Sequence, residues 1–171
     1  MRIFLRPVTE NDGVYIVKWR NSEEVKKHCL TKAPITLESN RVFFKNYVCT
    51  GKYKQFMVER VEDELGLAAY PIATAYLKDM DYENKRCELC VFTSNDVEWD
   101  LEGQSMAVKM LLEKAFKEYG MHKVYSYVYT KYCEELDMLK KAGFVIEATL
   151  LKEALGDNDE FEDIVRLCIF R

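Results

Sequence analysis

The chain has 171 residues, of which 49% are hydrophobic and 32% are charged, and its net charge is −4. This profile predicts one globular domain over residues 1–171 with a full hydrophobic core, and it excludes a repeat or low-complexity protein. Lys and Arg are dispersed among Asp and Glu, which argues against a nucleic-acid partner because that surface needs clustered positive charge.

Membrane insertion and metal binding are not expected from this sequence. No apolar run approaches the ~20 residues that span a bilayer, and MRIFLRPVTEND at the start is unlike a signal peptide. We therefore expect a cytoplasmic protein whose six cysteines are reduced. Cys87 and Cys90 lie three apart on a predicted strand, so their side chains point to opposite faces, and no metal site is predicted.

The first third of the chain combines one short strand with helices. Residues 1–6 predict a strand that Pro7 ends, since proline lacks the N–H that a strand would donate. The predicted helices begin at the capping residues Thr9 or Asn11, Ser22 and Thr36. The first carries the apolar residues of 14–19, so that Arg20 and Asn21 lie beyond it, the second starts at 22–25, and the third covers 36–48.

From residue 54 the hydrophobic period changes to that of strands, and a long helix follows. Three strands are predicted over 54–61, 71–77 and 86–92, with a polar connection at 79–85. The remaining elements are a helix at 104–119, a strand at 123–130, a helix at 133–142 and a hairpin of 144–155 with 161–170.

The segments 86–92, 104–119 and 123–130 form a βαβ unit, whose crossover is right-handed and whose two strands are parallel. The hairpins make the other strand pairs antiparallel. The sequence therefore predicts an α/β (α+β) fold in which a mixed, mostly antiparallel sheet carries helices on both faces.

Four segments of the chain are similar to those of one known family. They are LRPVTENDGVYIVKWRNSEEV, CELCVF, EGQSMAVKMLLEKAFKEYGMHKV, and LKKAGFVIEATL followed by DEFEDIVRLCIF. With the order of elements, they resemble the GNAT superfamily, in the branch of ribosomal-protein N-terminal and amino-sugar acetyltransferases. The resemblance implies that the central parallel strands splay around acetyl-coenzyme A, the acetyl donor.

The resemblance also implies where the donor binds. A helix N-terminus would hold the diphosphate with its free N–H groups, and a strand edge would pair with the pantetheine arm and supply an oxyanion donor. The positions implied are Val91, Phe92, Thr93, Leu101, Gly103, Gln104, Ser105 and Met106. The loop departs from the family pattern, because an ungapped match puts the two usual glycines at Glu102 and Gln104, and we expect Glu102 to point away from the diphosphate.

Glu88 and Tyr132 are the catalytic candidates. Glu88 is a lone carboxylate in an apolar strand, where desolvation would raise its pKa and suit a general base; the alternative is a structural ion pair with Arg86 or a lysine. The family's usual thiolate-protonating tyrosine falls on Leu139, so Tyr132, Tyr129 or solvent would have to supply that proton.

The acceptor is expected to be a primary amine on a small molecule. The stretch WRNSEEV, with Arg20 and Asn21, resembles acetyltransferases of nucleotide-linked amino sugars and makes such a sugar one candidate. Two alternatives stay open, a protein N-terminus as acceptor and a non-catalytic acyl-coenzyme A sensor. A homodimer is a further expectation.

Overall fold

A computed structural model describes residues 2–62, 65, 68–93 and 100–171. In these residues a seven-stranded sheet carries helices on both faces. The elements are β1 (Ile3–Pro7), α1 (Gly13–Arg20), α2 (Glu23–Lys26), α3 (Leu37–Phe43), β2 (Lys54–Val61), β3 (Ala69–Asp81), β4 (Arg86–Thr93), α4 (Leu101–Glu113), β5 (Lys123–Tyr129), α5 (Cys133–Lys141), β6 (Val145–Leu155) and β7 (Phe161–Phe170). A 3-10 turn at Glu10–Asp12 precedes α1, and π turns extend α3 and α4 over Phe44–Val48 and Lys114–Glu118.

Three predicted boundaries were wrong. Arg20 was expected beyond the first helix, yet it is the last residue of α1 because the turn continues to Asn21, whose N–H bonds to the carbonyl of Val17. The segment 79–85 was expected to be a connection, yet β3 continues to Asp81 because two cross-strand ion pairs extend its ladder with β4, Lys78 with Glu88 and Asp81 with Arg86. Helix α4 begins at Leu101 rather than at residue 104, because the Asp100 side chain caps it.

The strand order is β1-β2-β3-β4-β5-β7-β6, and β4 and β5 form the parallel pair that the βαβ unit predicts. Their pairing covers three positions only and ends where Glu88 lies opposite Tyr125, although both strands continue. The predicted splay of the central strands is therefore present.

Alternation along β2 separates two hydrophobic cores. Phe56 and Val58 face the core that α4 and α5 cover, while Met57 between them faces a smaller core with Ile16 and Trp19 of α1. Burying one such side chain contributes about 1.5–3 kcal/mol. The two cores hold helices on opposite faces of the sheet, as predicted.

A buried ionic network fixes the start of α1 to the sheet edge. Arg6 of β1 donates to both oxygens of Asp12 at 2.8 Å and to Glu59 of β2 at 2.7 Å. Asp12 also accepts from the backbone N–H of Thr9 at 2.7 Å. Because both acids are buried, the arginine compensates their desolvation and orients the turn before α1.

Candidate active site

A cavity of about 1310 Å³ lies where β4 and β5 part. Beyond the last paired residues, each strand contributes adjacent residues to its wall, Cys90 and Val91 from β4 and Ser126 and Tyr127 from β5. Adjacent strand residues point to opposite faces of a sheet. The cavity therefore passes between the separated strands, with α1, α2 and α3 bordering it on one side and the start of α5 on another.

Glu88 lies in the cavity wall, between Cys87 and Leu89, which face the core. Only 7% of its side chain is exposed, and its Oε1 lies 3.2 Å from Lys78 Nζ. Burial raises the pKa of Glu88 above its usual value, although Lys78 opposes the shift. Both expectations for Glu88 meet here, because a lysine pairs with it while its position on the cavity suits a base.

Aromatic rings form one wall of the same cavity. The ring of Tyr53 stacks on Tyr76 with 5.8 Å between centroids, and Phe43 meets Tyr53 edge-on at 4.9 Å. Burial raises the pKa of the Tyr76 phenol well above its usual value, so this hydroxyl stays protonated. The wall offers apolar surface and negative ring faces to a ligand.

Tyr132 reaches the cavity from the turn before α5. Its ring stacks on His28 with 3.9 Å between centroids, and its hydroxyl donates to the carbonyl of Lys27 at 3.2 Å. Burial raises its pKa, so the phenol is protonated at neutral pH. Leu139, at the family's tyrosine position, is buried in the core.

His28 was not among the sequence candidates, yet it lines the cavity with its Nδ1 3.2 Å from Glu135 Oε2. The two residues are 107 positions apart. No local pattern could indicate this contact, because it depends on how α2 and α5 meet in the fold.

The N-terminus of α4 borders the cavity, but a carboxylate already occupies part of it. Asp100 Oδ1 accepts the N–H of Gly103 at 2.9 Å, and the Asp100 carbonyl accepts that of Gln104 at 3.0 Å. Leu101 and Gln104 line the cavity, as does Glu102, which was expected to point away. Gly103, Ser105 and Met106 do not line the cavity.

The strand positions implied for the pantetheine arm lie three to five residues after Glu88 on β4. Val91 lines the cavity, and the backbones of Phe92 and Thr93 pair with Thr74 and Ala73 of β3 along one edge of β4. The side chains of Phe92 and Thr93 lie outside the described part of the structure. The other edge of β4 faces the gap that β5 leaves, so its backbone groups are placed to pair with an extended ligand.

Arg20 and Asn21, the two residues expected to contact the acceptor, have different surroundings. Arg20 is 7% exposed, lines the cavity and donates to the carbonyl of Thr31. The Asn21 amide instead exchanges two hydrogen bonds with the backbone of Ile35, at 2.7 and 2.8 Å. Asn21 therefore shapes the connection before α3, which borders the cavity.

Carboxylates outnumber cations along the cavity wall. The acids are Glu24, Glu88, Asp100, Glu102, Glu134 and Glu135. The lining cations are Arg20, Lys78 and Lys131. Among the residues that the structure describes, no group of three His, Cys, Asp or Glu side chains could hold a metal ion. No helix in the same residues combines the length and apolarity needed to cross a bilayer.

Comparison with known proteins gives the family. A model of the acetyltransferase (GNAT) domain matches residues 2–145. The chain belongs to the GNAT acetyltransferase family. The GNAT chain is 21% identical over 170 residues to a spermidine N(1)-acetyltransferase of Escherichia coli (strain K12), covering 98% of this chain and 85% of that protein.

Solved structures share the fold of this GNAT domain. The crystal structure of spermidine N-acetyltransferase from Vibrio cholerae in complex with CoA and spermine superposes with a TM-score of 0.87 at 18% identity, covering 98% of this chain and 95% of that one. A chimera of the Vibrio cholerae enzyme gives a TM-score of 0.85 at 17% identity, covering 99% and 96%.

As a GNAT acetyltransferase, the protein is an enzyme that uses acetyl-coenzyme A. The shape of the site suits this co-substrate, but the charge at the start of α4 opposes it. The separated strands suit the extended arm, whereas Asp100 and Glu102 put negative charge where the resemblance implies the diphosphate. When bound, acetyl-coenzyme A supplies an acetyl group activated as a thioester.

Proposed function

We propose that this enzyme acetylates a primary amine of a small, polycationic acceptor of the polyamine class. The observation that carries the proposal is the excess of carboxylates around a cavity that also contains Glu88. The spermidine acetyltransferases to which the chain is similar support the same class of acceptor.

Electrostatics favours a cationic acceptor over an anionic one. A cleft lined by one sign of charge raises the local concentration of ligands of the opposite sign. A polyamine carries several ammonium groups and a flexible apolar chain. The carboxylates suit its charges, and the wall formed by Phe43, Tyr53 and Tyr76 suits both its methylene groups and, through cation–π contact, an ammonium group.

Glu88 is proposed as the general base. An ammonium group must lose a proton before its nitrogen can attack a carbonyl carbon, and a carboxylate with a raised pKa accepts that proton more readily than an ordinary one. Burial supplies the raised pKa, and the strand holds the carboxylate at the beginning of the gap.

Two other groups complete the proposed chemistry. A backbone N–H of Val91, Phe92 or Thr93, on the unpaired edge of β4, would stabilise the negative charge that develops on the carbonyl oxygen. Tyr132 would return a proton to the departing sulfur. The alternative Tyr129 does not line the cavity, and its hydroxyl donates to the carbonyl of Leu155 at 2.9 Å. Tyr132 lines the cavity, and its hydroxyl would turn from the carbonyl of Lys27 to the sulfur.

The other acceptors considered above remain predictions that the cavity favours less. A nucleotide-linked amino sugar carries further negative phosphates, which the carboxylates of α2 and α5 (Glu24, Glu134 and Glu135) would repel. A protein N-terminus has a single ammonium group and gains less from the acidic wall. A sensor would bind acyl-coenzyme A without transferring its acetyl group.

Free-thiol release at fixed acetyl-coenzyme A separates these functions. The acceptors to compare are spermidine, a nucleotide-linked amino sugar and a short peptide with a free N-terminus. We expect kcat/KM for spermidine to exceed the others at least about tenfold, equivalent to about 1.4 kcal/mol. A reversed order would overturn the polyamine proposal, and coenzyme A binding without thiol release from any amine would favour the sensor.

A homodimer and a cytoplasmic location are also proposed. Strand β6 forms one edge of the sheet and exposes apolar side chains, including Val145 at 57% and Leu151 at 75%. Exposed apolar edges are suited to association. Light scattering on a sizing column would give the mass in solution and so test the dimer.

A further inference from the structure

We propose that Cys90 is a positioning residue for Glu88, holding one carboxylate oxygen so that the other is presented to the acceptor amine. The proposal rests on the assignment of Glu88 as base and adds a residue to that machinery. Its observation is a second contact on the same oxygen. Cys90 Sγ lies 3.2 Å from Glu88 Oε1, and Lys78 Nζ lies 3.2 Å from that oxygen as well.

The contact follows from strand geometry. Glu88 and Cys90 are two residues apart on β4, so their side chains stand on the same face of the sheet. Lys78 of β3 pairs in register with Glu88, and Tyr76 pairs with Cys90. The four side chains therefore form a block on the wall of the cavity, and all four line it.

The direction of the hydrogen bonds follows from the chemistry of each group. An ionised carboxylate can only accept, so the Cys90 thiol donates to Oε1. Tyr76 lies opposite Cys90 on the neighbouring strand, and burial raises the pKa of its phenol well above the usual value, so this neighbour of the thiol stays neutral. Burial raises the pKa of the Cys90 thiol well above its usual value, so the donor stays protonated at neutral pH.

These contacts leave Glu88 Oε2 as the oxygen that neither Lys78 nor Cys90 holds. A general base works only when its basic oxygen lies within hydrogen-bond reach of the proton it removes. Because two donors hold Oε1, the carboxylate cannot rotate and exchange the positions of its two oxygens. The Cys90 thiol also favours the ionised form of Glu88 and so lowers its pKa relative to a site without that donor.

The titratable groups that interact electrostatically with Glu88 come from three strands and one connection. They are Lys78 and Asp79 of β3, Cys87 and Cys90 of β4, Tyr125 of β5, and Tyr53 before β2. Among these described groups, Lys78 forms an ion pair with Glu88 and Cys90 donates a hydrogen bond to it, and both favour its ionised form. Substitution at position 90 changes one of the two and leaves Lys78 in place.

Cys90→Ala and Cys90→Ser distinguish the donor from the volume of the side chain. Serine keeps a donor of similar size, whereas alanine removes it. We expect Cys90→Ala to lower the plateau of kcat about tenfold, to move the acidic limb of its pH profile to higher pH, and to leave KM for acetyl-coenzyme A unchanged. Cys90→Ser should restore most of the rate and the original limb.

The direct measurement is titration of the Glu88 carboxyl carbon by NMR in wild type and both variants, with Glu88→Gln assigning the signal. It needs no acceptor, so it tests the contact even if the proposed acetylation fails. A higher midpoint in Cys90→Ala but not in Cys90→Ser supports the proposal. Equal midpoints in all three proteins, or an unchanged pH profile of kcat in Cys90→Ala, would overturn it. If alanine prevents folding, Cys90→Val, which also lacks a donor but is closer to cysteine in volume, takes its place.

Discussion

Asp100 places a carboxylate on the backbone N–H of Gly103, at 2.9 Å, in the first turn of α4. Helix N-termini bind phosphates because their N–H groups are free and their dipole favours negative charge. Here an acid of the chain itself takes one of those donors, and Glu102 adds a second negative charge beside it. The N-terminus of α4, which the resemblance assigns to the diphosphate, therefore already has one of its N–H groups bound to a carboxylate of the chain.

Asp100→Asn should strengthen coenzyme A binding. Asparagine caps a helix as well as aspartate does, so α4 keeps its start while the repulsion is removed. We expect the Kd for coenzyme A to fall about three- to tenfold, measured by calorimetric titration. Asp137→Asn, which removes an exposed charge paired with Lys140, is the control and should leave the Kd unchanged. An equal or higher Kd in Asp100→Asn would show that the diphosphate binds elsewhere.

Glu134→Gln tests the acidic cavity against a polycationic acceptor. The side chain lies at the start of α5 and lines the cavity, so its charge should attract an ammonium group. We expect KM for spermidine to rise about two- to fivefold at low salt, and the difference to disappear at high ionic strength. Glu113→Gln on the outer side of α4, whose charge pairs with Lys117, is the matched control. An equal rise in both variants would point to a general effect of net charge.

Asp12→Asn should destabilise the fold, because it leaves Arg6 with one acidic partner in a buried site. We expect a loss of about 3 kcal/mol in the free energy of unfolding. Burial acts against ionisation of Asp12, but the hydrogen bonds from Arg6 and Thr9 outweigh it and lower the pKa of Asp12. A lowered folded-state pKa stabilises the protein above the unfolded value, and this stability is lost as pH falls below about 4.

Thermal unfolding across pH measures both parts of this prediction. The difference between wild type and Asp12→Asn should shrink as the pH is lowered through that range. A difference that is independent of pH would assign the effect to packing and contradict the ionic account.

Tyr132→Phe tests the proton donor. The variant keeps the ring that stacks on His28 and removes only the hydroxyl. A tyrosine hydroxyl is protonated at neutral pH and can give its proton to a thiolate, so we expect kcat to fall about tenfold or more with KM for acetyl-coenzyme A unchanged. The control is Tyr129→Phe, which removes a hydroxyl that donates to the carbonyl of Leu155. It should reduce stability but not kcat. Full activity of Tyr132→Phe would assign the proton to solvent.

Much of the fold could be predicted because local periodicity and one handedness rule suffice for it. The alternation along β2 and the helical period before Gly120 indicate elements directly, and the βαβ unit makes β4 and β5 parallel. Where their pairing stops has no local signal, and only the family resemblance implied the splay. The start of α4 could have been found, because Asp100 is a good N-cap in front of a helical sequence.

The candidate site was predicted less completely because its contacts join distant parts of the chain. Glu88 stood out as a single acid in an apolar strand, but its pairing with Lys78 depends on the register of β3 and β4. The stacking of His28 on Tyr132 depends on how two helices meet. Such contacts are set by tertiary packing and have no counterpart in periodicity.

The role of Glu88 at the strand gap is tested most directly by the pH dependence of acetyl transfer to spermidine in wild type and Glu88→Gln. Burial raises the pKa of Glu88, so the wild-type rate should fall at low pH with a midpoint above that of an ordinary glutamate. Glu88→Gln should lower kcat about 100-fold or more and lose that limb, while coenzyme A affinity stays the same. An unchanged kcat and an unchanged pH profile in Glu88→Gln would contradict the account.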